Sequence, residues 1–183
     1  MTFSCFLNPG DWWCGKYQAG TVMTVLGSCV SVVLLHPTGQ WIGVSHALLP
    51  TRQRKNEPLH ARFADEVLLL FCQELSKRGL APVDCLVYVF GGSATFGAEY
   101  SAIKPNMAEK PGIGALNIAT TLQRLEQLNF KVFQQDTGGY CYRRLKIELK
   151  DGRIEHDKYP LKALALNATV TVPTRSMPSR HSR

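Results

Sequence analysis

The sequence is short of several things, and each shortage removes a class of function. No apolar run reaches the ~18 residues that a membrane span requires, so the chain reads as a cytoplasmic protein with no membrane insertion. No C-x-x-C pair occurs, which removes the usual spacing of a structural zinc site, and neither metal nor other cofactor is expected. Lys and Arg outnumber Asp and Glu by 21 to 14, for a formal charge of +7. They are scattered, with a local excess only in the last stretch, so no nucleic-acid-binding motif emerges. No internal repeat is present. No basic segment leads the opening MTFSCFLNPGDWWCG, so Leu26-Gly27-Ser28-Cys29 lacks the charged region that precedes a lipoprotein cleavage site. The apolar pattern also runs on through Cys29 into VSVVLL, where a cleavage site would end it.

What remains is an ordinary globular composition, 45% hydrophobic and 19% charged. At 183 residues it fits one domain, over 1–170, with 171–183 a disordered basic tail. The six cysteines are widely and irregularly spaced, and a chain of this size does not need stapling. Reduced thiols are therefore expected. Cys72, Cys85 and Cys141 lie in apolar segments, where cysteine acts as a small hydrophobe.

The chain alternates strand-like and helix-like stretches. Residues 21–35 read as one or two buried strands with a kink at Gly27-Ser28. HPTGQ is a turn, and WIGVSHALL returns as a further strand. The clearest helix follows, with Phe63, Val67, Leu68, Phe71 and Leu75 on one face and Gly79 as its stop. CLVYVF is a buried strand that runs into the glycine-rich turn GGSATFG and a long loop. A second helix over 115–128 carries Ile118, Leu122 and Leu125 on one face. KVFQQ, RRLKIEL and RIEHDKY complete the strands, the last two joined through Asp151-Gly152. The fold expected is α+β, a layered domain of strand pairs with two main helices.

Cys29 stands just after the kink, and His46 follows 17 positions later on the next strand. If those strands pair antiparallel, their ends approach in space. A free thiol has a pKa of about 8.5, and a nearby imidazolium lowers it and so populates the nucleophile. The same imidazole then protonates a leaving amine. Gly27 and Ser28 leave the thiol approachable and free a backbone N–H for an oxyanion. The plain alternative is a core cysteine and a polar histidine satisfied by its neighbours. GGSATFG lacks the Lys-Ser/Thr ending of a phosphate loop.

Taken in order, TVLGSCVSVVLL, GVSHALLP, RFADEVLLLFCQEL, YVFGGSATF, GIGALN and DTGGYCYRRLKIEL resemble the chemoreceptor glutamine deamidase family, CheD, of bacterial chemotaxis. The resemblance spans roughly residues 17–159. It implies hydrolysis of selected glutamine side-chain amides on the cytoplasmic helices of methyl-accepting chemoreceptors. It places the family cysteine on Cys29 and the family histidine on His46. A family threonine falls on Thr24, with Thr21 as the alternative. It makes Gly91, Gly92 and Asn117 contacts to substrate or partner, and a CheC-type chemotaxis phosphatase a partner that some members have. The implied fold is packed β-sheets flanked by helices, similar to the catalytic domains of deamidating bacterial toxins. Two departures stand out. Ala115-Leu116 replaces a pair that is often charged, and Ser93 replaces an alanine. The competing readings are a non-catalytic adaptor for receptors or phosphatase, and a peptidase or transglutaminase-like enzyme with the same nucleophilic chemistry.

Overall fold

Gly20 to His36 is two strands that leave each other for different sheets. In the computed structural model, which describes residues 3–38, 40–53, 56–94 and 111–161, the kink at Gly27-Ser28 is the crossing point. Strand β1 is Phe3–Phe6, β2 Trp12–Lys16, β3 Gly20–Leu26, β4 Val30–His36 and β5 Trp41–Ser45. Helix α1 is Ala64–Ser76, β6 Leu86–Gly91 and α2 Ile113–Gln127. The last strands are β7 Lys131–Thr137, β8 Cys141–Glu148 and β9 Ile154–Pro160. One sheet has the order β1-β3-β8-β9 and the other β2-β5-β4-β6-β7. The pairs β1–β3 and β6–β7 are parallel and the rest antiparallel.

Three layers result. Val22, Leu26, Val33, Val44, Leu145 and Ile147 fill the space between the sheets. Val32, Leu34, Trp41, Phe71, Val89 and Leu125 fill the space between the five-stranded sheet and the helices. The fold is α+β, as expected. All seven residues of β4 are buried because it has a core on each face, which explains its unbroken apolar run.

Helix α1 buries Val67, Leu68, Phe71 and Leu75 as expected, while Phe63 is its N-cap. Gly79 follows in the left-handed region and Leu80 N–H returns to Leu75 O at 3.0 Å, closing the helix end. Helix α2 departs from expectation. Its fully buried positions are Gly114, Asn117, Thr121 and Leu125, with Ile118 and Leu122 only half-buried. Their donors are taken up: Thr121 Oγ1 donates to Asn117 O at 2.7 Å, and Asn117 Nδ2 donates to two distant loop carbonyls. The strands β1 and β2 were not expected. FSCF is a short edge strand, and WWCGK is half-buried without alternation, so neither carries a period-2 signal. Residues 95–110, which hold the end of GGSATFG and most of the long loop after it, and the tail 171–183 lie outside the described residues.

Candidate active site

The two sheets meet at one imidazole. Thr24 projects from β3 in the four-stranded sheet and is fully buried. Its hydroxyl lies 2.7 Å from His46 Nδ1 and donates to Leu7 O at 2.8 Å. His46 Nδ1 lies 3.2 Å from the same carbonyl. A carbonyl only accepts, and the hydroxyl proton goes to it, so Nδ1 carries the ring proton and donates to Thr24 Oγ1 and Leu7 O. Nε2 is then the basic nitrogen. It is buried and has no hydrogen-bond partner among the described residues.

The backbone of His46 is held as firmly as its ring. Gly10 N–H donates to His46 O at 2.7 Å, and His46 N–H donates to Asp11 O at 2.9 Å. Just before it, the ladder to β4 is interrupted: Val32 N–H donates to Ser45 Oγ at 3.1 Å. Pairing resumes at Val30 and Ala47, which exchange both backbone bonds at 3.0 and 2.8 Å. Continued past Val30 and Ala47, that register sets Cys29 opposite Leu48 and on the same face as His46. Both side chains enter the space between the sheets. The antiparallel approach expected from the sequence is thus the one observed.

The Cys29 loop is fixed by its carbonyls. Ser93 N–H donates to Gly27 O at 2.9 Å and Gly92 N–H to Cys29 O at 2.8 Å. Asn117 Nδ2 donates to Ser28 O at 2.9 Å and to Leu48 O at 3.1 Å. Gly91 has φ +105°, and a Cβ there would stand 2.1 Å from Cys29 O, so no other residue fits. Behind this turn Arg143, only 2% exposed, donates to Ser93 Oγ at 2.8 Å, Asp136 Oδ1 at 2.9 Å and Gly138 O at 3.0 Å.

Burial governs the titration of both groups. It pushes the Cys29 thiol up, with only its own backbone N–H pulling the other way. It pushes the His46 imidazole below 6.5, opposed by the Leu7 carbonyl and the Asp11 charge. Both shifts favour a neutral thiol and a neutral imidazole at rest. Both directions run against the thiolate–imidazolium pair expected from the sequence, because burial disfavours each charged form.

A family model for CheD chemotactic sensory transduction matches residues 48–158. A relative from Chromobacterium violaceum, named probable chemoreceptor glutamine deamidase CheD 1, is 31% identical over 150 residues, 81% of this chain and 74% of its own length. The chain belongs to the CheD family. A second CheD relative, from Albidiferax ferrireducens and named probable chemoreceptor glutamine deamidase CheD 2, is 30% identical over 161 residues, 85% of this chain and 88% of its own. Among solved structures, YlmD from Geobacillus stearothermophilus has 14% identity and a TM-score of 0.43, over 75% of this chain and 60% of that one. The span matched by the CheD model begins after Cys29 and His46 and takes in Gly91, Gly92, Ser93 and Asn117 of the loop geometry above.

Of the residues singled out by sequence in this CheD chain, Thr24 and His46 meet through a hydrogen bond, and Cys29 belongs to the core between the sheets. Thr21 does not: its hydroxyl lies 3.5 Å from that of Ser4, at an exposed position. Gly91, Gly92 and Asn117, expected as contacts to substrate or partner, are all buried. What they touch is the backbone around Cys29. Leu7, Gly10 and Asp11 were missed, since they hold His46 through main-chain groups that leave no side-chain signature, Asp11 adding its charge. Arg143 was missed as well. It shares the inward face of β8 with Leu145 and Ile147, where an arginine breaks the apolar alternation. No helix of the described residues is long and apolar enough to cross a membrane.

Proposed function

We propose that this protein is a glutamine deamidase that converts selected glutamine side chains of methyl-accepting chemoreceptors to glutamate through a Cys29 thioester. The reading rests on one observation above all: a buried imidazole whose Nδ1 is committed to Thr24 and Leu7, leaving Nε2 as an unpartnered base on the same face as the Cys29 thiol. The names of the CheD relatives supply the substrate class.

The chemistry follows from that pair. As the sulfur attacks the carboxamide carbon, the thiol proton passes to His46 Nε2 and an S–C bond forms. The oxyanion is met by the backbone N–H of Cys29 and of Ser28. His46 returns the proton to the amide nitrogen, the C–N bond breaks, and ammonia leaves a thioester. Water then attacks that carbonyl while Nε2 takes its proton. The thiol departs with the proton restored, and glutamate remains. Starting from a neutral pair, proton transfer accompanies attack rather than preceding it. The same reading makes a CheC-type phosphatase a binding partner, to be sought by co-purification.

The test is mass spectrometry of a chemoreceptor cytoplasmic fragment incubated with wild type and with Cys29→Ala. Glutamate at discrete glutamine positions with wild type alone is the expected result. Equal conversion by Cys29→Ala overturns the nucleophile, and conversion by neither favours the adaptor reading. Peptide cleavage or cross-linking in place of ammonia release marks a different enzyme.

A further inference from the structure

Three consecutive carbonyls around the thiol are each taken by a donor from outside the loop. Gly27 O receives Ser93 N–H, Ser28 O receives Asn117 Nδ2, and Cys29 O receives Gly92 N–H. A trans peptide is planar, so its C=O and N–H point to opposite sides. No cis peptide bond is present among the described residues. Holding Ser28 C=O on α2 therefore turns Cys29 N–H away from α2, and holding Gly27 C=O aims Ser28 N–H in the same manner. Among the described residues neither of these N–H groups donates to another residue, Cys29 N–H facing its own sulfur, whereas the next, Val30 N–H, bonds Ala47 O. Two successive N–H groups left unclaimed by other residues beside a nucleophilic sulfur form a cradle for negative charge.

Asn117 is the only side chain among the three donors. It is fully buried, and its Oδ1 has no hydrogen-bond partner among the described residues. A residue present only to fill the core would be apolar and would avoid leaving that oxygen unpaired. Its second bond, to Leu48 O, reaches the residue opposite Cys29. One amide thus ties the two chain ends just past the last ladder pair, where the carbonyls of Ser28 and Leu48 have no strand partner.

We infer that Asn117 is a positioning residue for the reaction at Cys29: its amide holds the Ser28–Cys29 peptide so that Cys29 N–H meets the oxyanion. This rests on Cys29 being the nucleophile of the proposed reaction. It gives a buried helix residue a role in transition-state stabilisation without contact to the substrate.

The test compares two reactions of the same sulfur, followed on the Cys29 peptide by mass spectrometry in wild type, Asn117→Ala and Asn117→Ser. Acylation by p-nitrophenyl acetate forms an S–C bond through a tetrahedral oxyanion and expels p-nitrophenolate, the thiol proton going to His46. Alkylation by iodoacetamide displaces iodide at a saturated carbon and forms no oxyanion. In Asn117→Ala the acylation rate is expected to fall roughly 10- to 100-fold while alkylation stays within about twofold of wild type. Asn117→Ser keeps one donor and is expected to lie between, and it decides the matter if Asn117→Ala fails to fold. Acylation and alkylation falling together, or neither falling, overturns the assignment. Receptor deamidation by wild type is scored alongside. No glutamate product with a fallen acylation ratio removes the substrate reading and keeps Asn117 in its role. Glutamate product with an unchanged ratio does the reverse.

Discussion

The hydroxyl of Thr24 and Nδ1 of His46 lie 2.7 Å apart and share the carbonyl of Leu7 as acceptor. This contact crosses from one sheet to the other and selects the tautomer of the ring. Thr24→Val keeps the shape and removes the hydroxyl. Its kcat for deamidation is expected to fall roughly tenfold, well short of losing the base, with KM little changed. Thr24→Ser is expected to retain most activity. Nitrogen NMR of the His46 ring checks the cause directly: wild type should show Nδ1–H, and Thr24→Val a tautomer mixture.

The pH profile follows from burial. Nε2 must be unprotonated to take the thiol proton, and burial holds the imidazole below 6.5. Deamidation should therefore persist through pH 6.5 and be lost only as the pH falls through the lowered value. Stability has the same sign. The unfolded histidine takes up a proton near its ordinary value before the buried one does, so stability declines as pH drops below that range. His46→Gln should remove this part of the decline in denaturant titrations. Burial also raises the Cys29 thiol, so its alkylation rate should still be climbing above pH ~8.5. A plateau at neutral pH would instead reveal a standing ion pair.

Two glycines beside the thiol should respond in opposite ways. A Cβ on Gly91 would stand 2.1 Å from Cys29 O at φ +105°. Gly91→Ala is expected to destabilise by roughly 1–3 kcal/mol and to abolish activity at temperatures where the variant is still folded. A Cβ on Gly27 meets nothing within 4 Å, so Gly27→Ala should stay within about 0.5 kcal/mol of wild type. Thermal melts and deamidation assays on the pair separate crowding of the Cys29 carbonyl from a general need for glycine.

Asp136 carries the charge balance behind the Gly91–Ser93 turn. It accepts from Arg143 at 2.9 Å, Lys158 at 2.8 Å and His156 at 3.0 Å. Burial alone would raise its carboxyl, but the bonds and charges of Arg143 and Lys158 outweigh this and hold it at about 2. The stability it contributes is present above the ordinary value of 3.8 and is lost as pH falls toward 2. Asp136→Asn leaves the Arg143 charge buried without its partner and is expected to cost about 3–5 kcal/mol at neutral pH. Urea titrations at neutral and acid pH should show that the variant also loses less on acidification than wild type.

Much of this was legible in the sequence, and the limits have physical causes. The face of α1, the β4–β5 turn, the kink at Gly27-Ser28 and the inward Leu145 and Ile147 of β8 follow from periodicity and turn chemistry. Helix α2 was read from its aliphatic residues, yet it buries Asn117 and Thr121, because the helix is used to bond loop carbonyls rather than only to cover the sheet. The proximity of Cys29 and His46 is a matter of strand register and could be anticipated. The grip of Leu7, Gly10 and Asp11 on His46 could not, since any residue offers the same carbonyl or amide. The choice of Thr24 over Thr21 also needed the structure. In β3 the two are separated by an odd number of positions, so they face opposite sides of the sheet.

The imidazole is held by residues 7, 10, 11 and 24, and the thiol loop by residues 92, 93 and 117. A nascent chain on the ribosome has made Cys29, His46 and Thr24 long before Asn117 emerges. Until α2 has been synthesised and docked, the Ser28 and Leu48 carbonyls lack the amide that joins them. The rate of acylation at Cys29, set against its alkylation, is then expected to report on the docking of α2. A truncated chain that stops before α2 would keep Thr24, Cys29 and His46 and lack that tie.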